Sequence, residues 1–149
     1  MEDPVSSVHF QLQIVANGVY ATIAREGGAA IGNAGIVDLG DRTLVFDTFL
    51  TPQAAVDLHA AALEVTGRVP QLVINSHYHN DHIWGNQIFV PEAQILSSTG
   101  TRRLIASAGE EEFEWYRDHS EERLSAARRQ YEKTTDEKEL STKTEMVMI

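Results

Sequence analysis

All ten glycines and all four prolines of this 149-residue chain lie at or before Gly109. Glycine and proline are the residues that end helices and close turns. The chain therefore divides into a turn-rich part, able to build short strands and compact loops, and a part free of such breakers. Charge divides the same way. Residues 1–100 carry three basic residues, Arg25, Arg42 and Arg68, whereas residues 101–149 carry 9 basic and 12 acidic ones. The expectation is a compact α/β body over residues 1–109 and a charged helical extension of the same domain over 110–149.

Within the first part, Phe10, Leu12 and Ile14 alternate with glutamines, the period of a half-buried strand. Asn17-Gly18 marks a tight hairpin and residues 19–23 supply its return strand. Gly40-Asp41 separates a third strand (34–39) from a fourth (43–46), which gives an antiparallel opening. Thr51 suits a helix N-cap, Pro52 the first helical position and Gly67 the exit, with Ala55, Leu58, Ala62 and Val65 on one stripe. Two short apolar runs, 71–75 and 93–96, read as further strands. A strand–helix–strand unit on an antiparallel start predicts a mixed sheet with helices on at least one face. In the charged part, Ser107 and Glu110 have capping-box spacing. Phe113, Tyr116, Leu124, Ala127 and Tyr131 then fall on one side of a long helix, flanked by the pairs Arg117–Glu121, Arg128–Glu132 and Lys133–Glu137.

Some functions are disfavoured at once. With 12 basic and 22 acidic residues the formal charge is −10, which repels nucleic acid and anionic membranes. There is no cysteine, so thiolate chemistry and Cys-based metal sites are excluded. No run is long and apolar enough to span a membrane, and residues 1–7 lack the basic and apolar regions of a signal peptide. The expectation is a soluble, cytoplasmic protein.

The chemistry concentrates in residues 75–86, where His77, His79, Asp81 and His82 fall within six positions. His77 and His79, two apart after a strand, project to the same side. Asp81 and His82 follow where the chain turns towards Gly85. Imidazole and carboxylate together suit Zn²⁺, with Fe or Mn as further candidates. A loop at the carboxyl end of a strand is where α/β sheets bind ligands. Tyr78 and Trp84 are read as packing or rim residues, and His9 and His59 as exposed polar ones.

The run His77-Tyr78-His79-Asn80-Asp81-His82 resembles the signature of the metallo-β-lactamase superfamily. The likeness extends to residues 32–37, to Leu44-Val45-Phe46-Asp47, to the helix opened by Thr51-Pro52, and to Gly85-Asn86. It implies an αβ/βα sandwich of which only the first half is visible here. It also implies a site of one or two ions, with His77 and His79 on the first and Asp81 and His82 on the second. Asp47 would be a buried carboxylate beside them. The implied activity is hydrolysis of an ester, thioester, lactam or phosphoester in a small molecule, with Asp81 also orienting the attacking water. The family's further ligands, two histidines and a bridging aspartate, have no evident counterparts downstream. His119, Asp118 and Asp136 lie in the charged segment. The chain therefore reads as a fragment or truncated product that pairs with a second copy or with a missing C-terminal half. The competing reading is a non-catalytic metal-binding or interaction module on the same fold.

Overall fold

The computed structural model describes residues 7–131. Strands β1 (Phe10–Ala16), β2 (Val19–Ala24), β3 (Ala34–Asp38), β4 (Thr43–Phe46), β5 (Leu72–Asn75) and β6 (Gln94–Ser97) form one sheet in sequence order. The first four are antiparallel, and β4, β5 and β6 run parallel. Each strand lies within two residues of its expected place. Gly18 takes the left-handed backbone (φ +71°) that the tight turn demands. At the β3–β4 turn the Asp38 carboxylate accepts the Gly40 N–H and meets the Arg68 guanidinium, and both hold its pKa below the usual carboxylate value.

Helix α1 (Pro52–Thr66) forms as its end signals predict. Thr51 Oγ1 accepts the Ala54 N–H, and Gly67, left-handed at φ +70°, returns its own N–H to Leu63. Ala54, Ala55, Leu58, Ala61 and Ala62 pack on one face of the sheet against Phe10, Ile36, Val45 and Val73. Small alanines let helix and sheet approach closely, and the core lies in this single layer.

The opposite face of the sheet is not buried. Register and alternation put Val37, Leu44 and Leu72 in one row, and Gly35, Phe46, Ile74 and Leu96 in the next. Phe46 is 43% and Leu96 45% exposed, and neither row contains a charge.

The charged segment departs from expectation. Helix α4 (Thr99–Asp118) starts eight residues before Ser107, capped by Ser98, whose Oγ accepts the Thr101 N–H. Ser107 sits inside the helix and donates its hydroxyl to the Arg103 carbonyl. The helix spans residue 109 without a break. It ends at His119, whose Nδ1–H and backbone N–H both go to the Trp115 carbonyl, and α5 (Ser120–Tyr131) follows. The single long helix is thus two. Because the break falls between its proposed partners, Arg117 pairs with Glu114 and Asp118 rather than with Glu121. Phe113, expected on the packed stripe, is 59% exposed. The pairs Arg128–Glu132 and Lys133–Glu137, together with Asp136, extend outside the described residues. No helix among the described residues is long and apolar enough to cross a membrane.

Candidate metal centre

The two parallel strands β4 and β5 end side by side, and both tails turn into the same corner. After β4, Asp47 and Phe49 adopt positive φ (60° and 68°), uncommon for non-glycine residues and a mark of backbone held by its surroundings. After β5, residues 76–79 lead into two single turns, α2 (Asn80–Ile83) and α3 (Asn86–Phe89).

A buried polar network fixes the corner. The His82 carbonyl accepts the Thr48 N–H at 3.0 Å and an Asn75 Nδ2–H at 3.3 Å. Asn75 and Asn86 exchange amide hydrogen bonds at 2.8 and 3.1 Å, and Thr48 Oγ1 lies 2.9 Å from Asn86 Oδ1. Thr48 and Asn75 are essentially excluded from solvent, so each of these bonds is made where water cannot replace it. Gly85 lies directly on Thr48, and the backbone of Gly32, at φ +92°, lies against the Asp81 carboxylate.

Asp47 sits beside the histidine turn, buried as expected at 3% exposure. Its Oδ1 accepts the Ser76 N–H at 2.8 Å. Its Oδ2 accepts the Ser76 hydroxyl at 2.7 Å and the His82 Nδ1–H at 2.8 Å. A histidine held by a carboxylate in this way has its tautomer and ring plane set. With its Nδ1–H given to Asp47, His82 turns Nε2 towards Asp81 Oδ2, 3.2 Å away. A proton or a cation shared between these two atoms would satisfy both.

The turn gathers all the expected residues. The rings of His77 and His82 have centroids 4.1 Å apart, and those of His77 and His79 4.7 Å. They do not form a finished cage. Among the described residues, no three His, Cys, Asp or Glu side chains are arranged to hold one ion. His77 Nδ1 bonds to Ser76 Oγ, and His82 is engaged at both ring nitrogens. The donor chemistry of His77, His79, Asp81 and His82 therefore fits a divalent ion, while the geometry supplies pairs of donors rather than a set of three.

Elsewhere, His119 stacks on Trp115, and Trp84 packs edge-on to Tyr116, so both rings serve packing. Tyr78 lies against His79. His9 is 6% exposed, with Nδ1 accepting the Ala29 N–H, and His59 is half-buried beside Phe89. Both were expected on the surface; the start of β1 and the α1 face turn them inward. Sequence reasoning missed Thr48, Asn75 and Ser76, whose partners are distant in the chain.

Residues 27–146 match the family model of the metallo-beta-lactamase superfamily. Solved structures share the fold. A metallo-beta-lactamase from Hirschia baltica is 19% identical, with 67% of this chain and 48% of that one covered and a TM-score of 0.58. One from Erythrobacter litoralis is also 19% identical, covering 70% and 48% with a TM-score of 0.59. A third, from Pseudomonas aeruginosa in a mono-zinc form, is 16% identical, covering 68% and 47% with a TM-score of 0.56. No curated protein matches the chain. The chain spans about half the length of these structures, and at such identities the likeness is one of fold.

Proposed function

The chain belongs to the metallo-beta-lactamase superfamily, and from that premise we propose that it is part of a metal-dependent hydrolase whose ions bind at the His77–His82 turn. The observation that carries this is His82, fixed by Asp47 so that its Nε2 faces the Asp81 carboxylate. His77 and His79 would hold one ion, and Asp81 and His82 a second. Zinc is the preferred metal, supported by the mono-zinc form of one structural neighbour. A bound divalent ion would supply a positive charge able to polarise a carbonyl or phosphoryl oxygen and to lower the pKa of water towards about 7. Asp47 keeps the His82 proton on Nδ1, and Ser76 holds Asp47 in place. Asp81 offers a carboxylate oxygen that would orient the attacking water. The substrate is an ester, thioester, lactam or phosphoester of a small molecule, since the net charge of −10 opposes a polyanion.

A second reading, an ion-binding module without turnover, draws support from the absence of a three-donor set among the described residues. One experiment separates the two. Zinc is expected to raise the melting temperature, reversibly on chelation. A panel of ester, lactam and phosphodiester substrates should then show turnover that His79→Ala abolishes. Zinc stabilisation with no turnover would favour the module, and no stabilisation would contradict both readings.

The reading extends to the bare sheet face. Expressed alone, the chain is expected to bury Phe46 and Leu96 against a second copy or, failing that, to bind an apolar dye. Size-exclusion chromatography of a dye-silent monomer would contradict it.

A further inference from the structure

The histidine turn is held on two sides. On the sheet side Thr48 and Asn75 donate to the His82 carbonyl, and Asp47 accepts the His82 Nδ1–H. On the other side the partner is α4. Asn80, between His79 and Asp81, donates Nδ2–H to Glu112 Oε1 at 2.8 Å and lies 3.4 Å from the Tyr116 hydroxyl. Trp84, one turn later, packs edge-on to Tyr116 with centroids 5.1 Å apart. Glu112 and Tyr116 are four residues apart and share one helix face. Arg123 of α5 lies over the outer ring face of Tyr116, 4.2 Å from its centroid. The contact is not ordinary core packing, because Leu104, Phe113 and Trp115 of the same helix stay exposed. Its specific part is polar and aimed at one residue of the turn.

We propose that Glu112 and Tyr116 are positioning residues for the ion site: through Asn80 and Trp84 they order the turn that carries His79 and Asp81, so that the docking of α4 sets the ion affinity. The contact stands on the geometry alone; the affinity rests on the function proposed above. α2 is a single turn with too few internal hydrogen bonds to be stable unaided. Its order must come from what grips it, and α4 supplies one of the two grips.

The test uses the full chain and three forms: wild type, Glu112→Ala and Glu112→Gln. Glutamine keeps an acceptor oxygen for Asn80; alanine does not. Amide hydrogen exchange is measured without metal, and zinc affinity by competition with a chromophoric chelator. In Glu112→Ala the amides of His82 and Trp84 are expected to exchange roughly fivefold faster, while those of β5 and α1 are unchanged. Zinc affinity should fall about tenfold. Glu112→Gln should resemble wild type in both readouts. Unchanged exchange in Glu112→Ala would overturn the positioning role. Faster exchange with unchanged zinc affinity would overturn its link to the site. A wild-type chain that binds no zinc would contradict the proposed function instead, and the exchange data would still decide whether α4 orders the turn.

Discussion

Gly85→Ala is expected to prevent folding, or to cost about 3 kcal/mol or more and lower the melting temperature by roughly 10 °C or more. The cause is contact rather than backbone conformation, since Gly85 has an ordinary helical φ of −72°. A Cβ there would lie 1.9 Å from the Thr48 carbonyl oxygen and 2.7 Å from the Ala55 Cβ. Neither neighbour is free to retreat. Thr48 N–H is bonded to the His82 carbonyl, Gly85 N–H to the Phe49 carbonyl, and Ala55 is buried in α1. Relief would therefore separate the histidine turn from the strand end that supports it. Gly40→Ala is the contrast: nothing lies within 4 Å of its Cβ position, and only its φ of +89° is strained, at a cost of about 1–2 kcal/mol. Thermal unfolding followed by circular dichroism ranks the two. A Gly85→Ala chain melting as close to wild type as Gly40→Ala does would contradict this packing.

Asp47→Asn is expected to weaken zinc binding by about 10- to 100-fold while leaving the fold intact. Asparagine is among the few residues that tolerate positive φ, so the backbone at φ 60° survives the change. What changes is the proton on His82. An amide nitrogen facing Nδ1 is a donor, so Nδ1 must accept and the proton moves to Nε2, which then turns a hydrogen rather than a lone pair towards Asp81. Asp47→Ala adds two costs, left-handed strain and an orphaned Ser76 N–H, and should also lower the melting temperature. Competitive zinc titration of the two variants checks the reasoning; an Asp47→Asn chain with wild-type affinity would refute the role given to the carboxylate.

What the sequence disclosed were the features whose cause is local. Thr51-Pro52 and Gly67 bound α1 because capping is decided within one turn of chain, and Asn17-Gly18 closes its hairpin for the same reason. The donors of the histidine turn were legible because they are neighbours in sequence. Asp47 was legible through the family resemblance of Leu44-Val45-Phe46-Asp47. The start of α4 was not. Ser98 with Thr101 and Ser107 with Glu110 offer two local caps, and the end of β6 at Ser97 selects the first. Nor was the break at His119, which has neither glycine nor proline beside it. The Thr48–Asn75–Asn86 network was invisible because three separate segments build it, and the grip of Glu112 on Asn80 spans 32 residues. The partners of the imidazole nitrogens depend on how Ser76 and Asp81 turn and on Asp47, far from His82 in the chain, so the spacing named the donors without fixing which lone pairs are free.

If His77 and His79 hold a first divalent ion and Asp81 and His82 a second, zinc X-ray absorption on the chain loaded with one equivalent of metal reveals it. Stoichiometric binding is expected, with at least two imidazole nitrogens at about 2.0–2.1 Å, lost when His77 and His79 are both replaced by alanine. An oxygen-only coordination shell, indifferent to those two substitutions, would contradict it.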